Sequence, residues 1–482
     1  MRNPLAYLII GLAVLFHGLT IRQGHSWGGD FSLYIAHARN IVSGLPYGDT
    51  GYIFNPNSPS LSPRTYPPIF PLFLSLFYPV IGLNLDVMRI LILATFLIFL
   101  VIFNLYCLEP LKSTASRLGI IAALGFSPLV WDIKNNVLSD IPFLVFFFGS
   151  LVLLERLDKI KFSEFKHVFL SILSGIAIYL ASGTRSVGIL LIPALIAHDI
   201  LNLRTIRRSS IIVVITFIIF YLIQSILLHT DKSYVDTLLH LDAQTILANI
   251  LGYIKIVAGY WHNGFNDVTQ VLMTAIALGL IGIGFIRTVR ERWAVSEYFL
   301  LMYIGVLILW PARPSPRFLL PILPLAFLYF FSGLENMSWG PASLRKKFLP
   351  MGIFLIALSY TGGYSARDFS ENSPGIQEKG SVEMFDFVRK QTPQDSIIIF
   401  WRPRILALYT GRKSSSYHDV QSIDQLWDYF KSIGSTHMIV QHEGRNFKER
   451  KTFLLNEVET AYKDQLKLIF QNADFHIYEI KR

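Results

Sequence analysis

Long apolar stretches recur along this chain, and they restrict its fold more than any other feature. A helix needs about 20 mainly apolar residues to cross the hydrocarbon core of a bilayer, and eleven stretches approach that length. Apolar residues make up 52% of the 482 residues and charged residues only 16%, a composition typical of membrane proteins. The sequence therefore predicts an α-helical polytopic membrane protein with about 11 spans, in a range of 11–13, near residues 5–22, 87–108, 116–132, 138–155, 167–182, 185–201, 211–229, 268–287, 296–311, 317–332 and 348–364.

The positions of Lys and Arg between these stretches predict the orientation. Cytoplasmic loops of membrane proteins are enriched in basic residues. If the proline-rich segment Ile69–Leu83 lies at the membrane surface and does not cross, five alternate short loops carry the basic residues Lys112, Arg117, Arg156, Lys159, Lys161, Lys166, Arg204, Arg207, Arg208, Arg287, Arg290, Arg292, Arg345, Lys346 and Lys347. This pattern predicts a multi-pass protein of the inner cell membrane with a cytoplasmic N-terminus. The loops 23–86 and 230–267 and everything after residue 364 are then external.

The net charge of +10 fits the same interpretation. Excess Lys and Arg in a polytopic protein face anionic membrane lipids, so we expect lipids and no nucleic acid as partners. The N-terminal apolar stretch has no small-residue cleavage site and is interpreted as an uncleaved first span. Cys107 is the single cysteine, which excludes an intrachain disulfide.

From about Ser365 the composition becomes polar and mixed, and alternating patterns appear. They predict helices near 381–391, 403–410 and 447–464 and after Ser422, with strands at 396–401, 438–441, 466–471 and 475–480. The sequence thus predicts a transmembrane domain at 1–364, including the long external loop 23–86, and a soluble extracytoplasmic α/β domain at 365–482.

Two acidic residues stand where predicted spans meet the external surface. Asp30 follows Gly28 and Gly29 just after the first span, a placement that presents a carboxylate to a lipid-linked substrate. Asp140 begins a later span, with Pro142 in its first turn. Either aspartate can instead be a helix N-cap, a common structural role for Asp.

Arginines occupy two tight external turns. Arg313 and Arg317 lie on a short segment with prolines at 311, 314 and 316, and Arg185 follows Ser182-Gly183-Thr184. Guanidinium groups held in this way suit a lipid phosphate. The alternative is that these side chains extend to lipid headgroups.

Four segments carry a resemblance to a known family: Gly28–Arg39, Arg64–Pro71, Ser127-Pro128 with Asp140, and Arg317 with the Leu-Pro run after it. They resemble the polyprenyl-phosphate-dependent integral-membrane glycosyltransferases of the C-type fold superfamily, which includes protein mannosyltransferases and the bacterial aminoarabinose transferase of lipid A. The resemblance implies Asp30 and Asp140 as catalytic residues and Arg317, Arg313, Arg64, Tyr66, Tyr34 and Arg185 as substrate-binding residues. In the aminoarabinose branch a lysine contacts the carrier phosphate at the position of Tyr66, and whether Arg64 takes over that contact is left open.

Sugar transfer from a polyprenyl phosphate needs a base for the acceptor and a cation for the departing phosphate. The resemblance therefore implies a glycosyltransferase with a polyprenyl-phosphate sugar donor and, as acceptor, a glycolipid, a polysaccharide or a protein. The one cofactor considered is a divalent metal ion, with His25, Asp30 and Asp140 as its candidate ligands.

Two other functions compete with this one. A transporter or lipid flippase predicts charged residues in the middle of spans, whereas the spans here are nearly free of them. A scaffold that only presents the terminal domain does not explain the arrangement of Asp30, Asp140 and Arg317.

Overall fold

The computed structural model describes residues 3–56, 65–108, 110–111, 113–159, 164–228, 243–260, 266–310, 314–336, 342–370, 375–417, 422–441 and 451–481. The chain forms two compact units. The first, here called the helical unit, comprises Met1–Ile21, Asp86–Leu227 and Leu238–Phe369. The second, here called the α/β unit, comprises Arg22–Leu85, Leu228–Thr237 and Ser370–Arg482.

The described part of the helical unit is built from α-helices, short 3₁₀ helices and one π turn. Seven helical segments are long and apolar enough to cross a membrane: Leu85–Tyr106, Thr114–Lys134, Glu164–Thr184, Ser186–Leu203, Arg208–Leu228, Asp267–Glu291 and Lys347–Ser365. Shorter apolar helices are Pro4–Leu19, Ala243–Gly259, Val295–Leu309 and Leu323–Glu335. The fold class predicted from the sequence, a polytopic helical membrane protein with a small α/β part, is confirmed.

Two segments differ from the predicted list of spans. The span predicted near 138–155 is the helix Asp140–Lys159, whose C-terminal end is charged and which is not among the seven. The stretch 230–267, interpreted as an external loop, contains the helix Ala243–Gly259. Gln244, Asn249 and Lys255 interrupt its apolar residues, which concealed it in the sequence.

Two helices of the helical unit pack closely through glycines. A Cβ atom added at Gly284 would lie 1.9 Å from the Tyr329 carbonyl oxygen, and one added at Gly333 would lie 2.2 Å from the Leu280 carbonyl oxygen. Small residues let membrane helices approach backbone to backbone. The contact between Asp267–Glu291 and Leu323–Glu335 therefore depends on both glycines.

We expect Gly284→Ala to destabilise the protein by about 1–3 kcal/mol, because the added methyl group forces the two backbones apart. Gly279→Ala in the same helix is the matched control, since nothing lies within 4 Å of its added Cβ. The melting temperature of the purified protein should fall for Gly284→Ala and stay level or rise for Gly279→Ala. Equal melting temperatures for the two variants would contradict the close contact.

Lys134 stabilises the end of the first helix. Its buried Nζ donates to the carbonyl oxygens of His17, at 2.8 Å, and Thr20, at 2.6 Å. A cation at a helix C-terminus complements the carbonyl groups left without intrahelical partners.

The α/β unit contains a six-stranded sheet in the order β1-β3-β2-β4-β6-β5. The strands are β1 (Tyr52–Ile53), β2 (Ile397–Ile399), β3 (Lys413–Ser415), β4 (His437–Gln441), β5 (Leu466–Gln471) and β6 (Phe475–Ile480). The pairs β1·β3, β3·β2 and β2·β4 are parallel, whereas β6 pairs antiparallel with β4 and with β5. The helices of this unit are Asp30–Ser43, Ile69–Ser75, Tyr78–Ile81, Lys379–Gln391, Pro403–Thr410, Ile423–Ser432 and Lys451–Ala461.

Most predicted elements of the terminal region are present, but the unit also contains the first long polar segment. β1 comes from this segment and pairs with β3, a strand that the sequence analysis did not predict. Asn55 Nδ2 donates to the Ser416 carbonyl oxygen at 2.9 Å, and Trp27 packs against Phe385, Phe400 and Phe475. Arg22–Leu85 therefore folds with Ser370–Arg482, whereas the sequence analysis grouped 23–86 with the transmembrane domain.

Candidate functional site

The helical unit brings three of the predicted site residues together. Asp140 is the first residue of the helix Asp140–Lys159, Arg185 directly follows the helix Glu164–Thr184, and Arg317 lies in the 3₁₀ helix Pro316–Leu319. The Asp140 side chain is 0% exposed, Arg185 14% and Arg317 22%. We call these three residues the Asp140 cluster.

Two guanidinium groups share the Asp140 carboxylate. Arg317 Nε donates to Oδ2 at 2.6 Å, and Arg185 Nη1 donates to Oδ1. Charge-assisted bonds of this kind are stronger than neutral ones, and they orient the planar guanidinium groups. With one carboxylate and two cations, the cluster keeps one net positive charge, which suits an anionic ligand.

Two polar side chains that no sequence motif marks contact the backbone near Arg317. Tyr303 Oη donates to the Phe318 carbonyl oxygen at 2.8 Å. Asn249, on the helix Ala243–Gly259, donates to the carbonyl oxygens of Ile308 at 3.0 Å and Trp310 at 2.7 Å. The Tyr303 bond holds the residue next to Arg317, and the Asn249 bonds hold the end of the helix Val295–Leu309. Arg313 lies outside the described residues.

The α/β unit holds Asp30 in a second group of side chains. Tyr66 Oη donates to Asp30 Oδ1 at 2.7 Å. Arg404 Nη1 lies 3.8 Å from the same carboxylate oxygen and donates to Tyr66 Oη at 3.4 Å. Gly29 occupies the N-cap position of the helix Asp30–Ser43 with no side-chain cap bond, so Asp30 is not the N-cap considered from the sequence. We call Asp30, Tyr66 and Arg404 the Asp30 cluster.

Tyr66 is held on several sides. Tyr34 stacks on it with ring centroids 4.6 Å apart, so buried Tyr34 supports Tyr66. The Tyr66 backbone N–H donates to His37 Nε2 at 3.3 Å, and Tyr47 Oη donates to the Tyr66 carbonyl oxygen at 2.8 Å. These contacts position the Tyr66 hydroxyl that reaches Asp30. Arg64, two residues earlier, lies outside the described residues.

Arg404 is the member of the cluster that the sequence analysis missed. It is 6% exposed by side chain, and its Cζ lies 4.9 Å from the Tyr52 ring centroid and 5.6 Å from that of Tyr66. Burial lowers the pKa of its guanidinium, but Tyr66, Tyr52 and Asp30 outweigh burial and raise that pKa above its ordinary value. Arg404 is thus a permanent cation beside Asp30.

A cleft opens beside Asp30 in the α/β unit. Its lining residues are Gly29, Asp30, Tyr52, Trp401, Arg402, Pro403 and Arg404. The Asp30 side chain is 27% exposed, so its carboxylate can reach a bound molecule. We call this feature the Asp30 cleft.

Comparison with solved structures shows what this architecture resembles. ArnT from Cupriavidus metallidurans bound to undecaprenyl phosphate matches with a TM-score of 0.58 and 12% identity, over 98% of this chain and 97% of that one. The chain has the fold of the polyprenyl-phosphate-dependent membrane glycosyltransferases. The family resemblance predicted from the sequence is confirmed at the level of the fold.

Two further proteins with the glycosyltransferase fold are similar. The oligosaccharyltransferase of Archaeoglobus fulgidus in complex with Zn and sulfate matches with a TM-score of 0.59 and 12% identity, over 90% of this chain and 68% of that one. The arabinofuranosyltransferase AftD from Mycobacteria matches with a TM-score of 0.57 and 13% identity, over 100% of this chain and 42% of that one. Neither a protein-family model nor a curated protein sequence matches the chain.

The archaeal oligosaccharyltransferase structure contains zinc, so the candidate metal ligands of this chain are of interest. Within the described ranges, no three His, Cys, Asp or Glu side chains are grouped so that they could hold a metal ion. His25 is buried, with Nδ1 2.8 Å from the Ser26 carbonyl oxygen and its ring 4.0 Å from that of Phe31. The described residues therefore do not form the metal site considered from His25, Asp30 and Asp140.

His37, which accepts a hydrogen bond from the Tyr66 backbone N–H, makes the stability of the folded protein depend on pH. Burial lowers the pKa of His37 from 6.5 to about 4, against the bond to the Tyr47 carbonyl oxygen. In the unfolded chain His37 becomes protonated as the pH falls below its ordinary pKa of 6.5. In the folded protein it stays neutral until the pH approaches about 4. The stability that neutral His37 provides is thus complete above pH 6.5 and is lost as the pH falls to about 4.

We expect acid to destabilise the wild type through this residue by on the order of 3 kcal/mol. His37→Gln should lower stability at pH 7 and flatten the fall in melting temperature between pH 6.5 and pH 4. Thermal unfolding of both proteins across that range measures the difference. Parallel pH profiles would show that His37 does not couple protonation to folding.

Proposed function

We propose that this integral membrane protein is a glycosyltransferase that moves a sugar from a polyprenyl-phosphate donor to an extracytoplasmic glycolipid, polysaccharide or protein. The observation that carries the proposal is the Asp140 cluster, a cationic group built on a buried carboxylate within the glycosyltransferase fold. A cation preorganised in this way stabilises the charge that develops on a departing phosphate.

In the proposed mechanism, Arg317 and Arg185 bind the carrier phosphate. Asp140, placed among the catalytic residues by the sequence analysis, acts here as a positioning residue, because both of its oxygens accept from guanidinium groups. When the bond between the anomeric carbon and the phosphate oxygen breaks, the phosphate keeps the electron pair. A phosphate leaves readily, so no strong general acid is needed.

Asp30 is the proposed general base. Its carboxylate takes the proton from the acceptor hydroxyl while the hydroxyl oxygen bonds to the anomeric carbon. Tyr66 holds one carboxylate oxygen by a hydrogen bond, which orients the base. No step is assigned to a metal ion, because the described residues do not group the candidate ligands.

The placement of buried charge supports an enzyme over a transporter. The buried charged residues in the described part of the helical unit lie within five positions of a helix end, and they are Arg89, Lys134, Asp140, Asp199 and Glu297. Transporters place charged groups near the middle of the membrane, where they bind and couple their substrates. Charge at helix ends fits chemistry at the membrane surface.

The proposed orientation places the N-terminus in the cytoplasm and the α/β unit outside the inner membrane. We expect Ser432→Cys, an exposed position of the α/β unit, to react with an impermeant thiol reagent in intact cells. Thr205→Cys, exposed in a basic loop, should stay unlabelled. The native Cys107 is buried and gives little background. The opposite labelling pattern would overturn the orientation.

The activity is tested with a panel of polyprenyl-phosphate sugars. Purified protein is incubated with each donor and a membrane extract as the source of acceptors, and products are searched for transferred sugar by mass spectrometry. We expect transfer from at least one donor by the wild type. Failure of every donor with folded protein would reject the proposal.

A further inference from the structure

The proposed mechanism uses Asp30 but leaves much of the Asp30 cleft without a role. Two guanidinium groups, from Arg402 and Arg404, and one carboxylate line the cleft. The lining therefore has a formal net charge of +1. All of its residues belong to the α/β unit.

Aromatic rings hold both arginines. Arg402 Cζ lies 4.3 Å from the Trp401 ring centroid, and Arg404 Cζ lies 4.9 Å from that of Tyr52. Stacking on a ring fixes the plane of a guanidinium group, whose N–H donors point outward in that plane and match carboxylate or phosphate oxygens. The cleft thus contains cations oriented in advance of binding.

Two helix starts add to this positive potential. Gly29 is the N-cap of the helix Asp30–Ser43, and Arg402 is the N-cap of the helix Pro403–Thr410. Neither start has a side-chain cap bond. Helix dipoles favour negative charge at such ends. The first residues of both helices line the same cleft as the arginines.

We propose that the Asp30 cleft binds the acceptor, and that the acceptor is an anionic saccharide carrying a carboxylate or phosphate that Arg402 recognises. This inference rests on the proposed function. A general base must lie within hydrogen-bond reach of the hydroxyl that it deprotonates, so the cleft that exposes Asp30 is where the acceptor binds. The donor has a single phosphate, which is assigned to the Asp140 cluster, so the cationic cleft serves the other substrate.

The test measures binding to the purified full-length protein by titration calorimetry, without donor or turnover. The probes are methyl β-glucuronide, glucose 6-phosphate and neutral methyl β-glucoside. We expect at least one anionic probe to bind about tenfold or more tightly than the neutral glycoside, because a charge-assisted bond is lost in the latter. Equal binding of all three probes, or binding of none, would overturn the proposal.

Variants assign the preference to Arg402. Arg402→Gln should abolish the preference for the anionic probe, and Arg402→Lys should keep part of it. Arg389→Gln, which removes an exposed arginine of the same unit paired with Asp386, should leave the preference unchanged. A preference that survives Arg402→Gln in folded protein rejects the proposed recognition, and if Arg402→Gln does not fold, full retention in Arg402→Lys rejects it.

A short-chain carrier analogue, citronellyl phosphate, separates the two sources of an anion. It should not displace the anionic sugar from the cleft. Displacement would assign the cleft to the donor and overturn the inference, while leaving the proposed glycosyl transfer intact. Failure of every donor in the transfer assay would instead reject the proposed function without changing the sugar-binding result.

Discussion

Replacing Asp30 with asparagine is expected to lower turnover by about 100- to 10,000-fold, the usual contribution of a general base. The amide keeps the shape of the carboxylate and can still accept a hydrogen bond from Tyr66, but it cannot take a proton at neutral pH. Donor binding should stay near normal, because the carrier phosphate is assigned to the Asp140 cluster. Steady-state turnover and donor affinity of the purified variant are the measurements.

The stability of Asp30 variants separates a catalytic role from a structural one. Loss of an N-cap costs about 1 kcal/mol, but Gly29, and not Asp30, holds that position. We therefore expect Asp30→Asn to melt close to the wild type. Tyr66→Phe, which removes the hydroxyl 2.7 Å from Asp30, should lower turnover less than Asp30→Asn. An active Asp30→Asn enzyme would reject Asp30 as the base.

Replacing Arg317 with alanine is expected to weaken binding of the polyprenyl phosphate by about one to two orders of magnitude. A hydrogen bond to a charged group contributes about 1.5–3 kcal/mol, and each 1.4 kcal/mol is tenfold in affinity. Asp140 keeps its contact with Arg185 in this variant, so the buried carboxylate is not left without a cation. Calorimetric titration with the carrier phosphate in detergent measures the change.

Arg287→Ala is the matched control for the helical unit. Arg287 is 43% exposed by side chain, and its Nε lies 3.4 Å from Glu291 Oε1. Its removal changes the net charge by the same amount, and we expect no change in affinity for the carrier phosphate. Arg317→Ala protein that is folded and binds the carrier like the wild type would remove Arg317 from the site.

Features encoded by short stretches of sequence were predictable. Apolar stretches gave most of the spans. The helix predicted after Ser422 is present, and the Ser422 side chain caps it by accepting from the Gln425 backbone N–H at 3.2 Å. Asp30, Asp140 and Arg317 stood out because glycines, prolines or a span boundary flank each of them. Such signals depend on neighbours in the chain.

Features that depend on contacts between distant residues were not predictable. Arg404 meets Tyr66 across 338 positions of sequence, and no motif surrounds it. β1 has only two residues and is a strand because it pairs with β3, so its own sequence carries little strand signal. The pairing of Asp140 with both Arg185 and Arg317 likewise required the folded chain.

The most direct test of the central claim measures both products of a single reaction. Purified protein in proteoliposomes is given a polyprenyl-phosphate sugar with isotope label in the sugar, together with a membrane extract as the source of acceptors. We predict one released polyprenyl phosphate for each labelled sugar attached to an acceptor, with both products lost together in Asp30→Asn. Movement of intact donor across the bilayer, without release of polyprenyl phosphate, would contradict glycosyl transfer and favour a flippase.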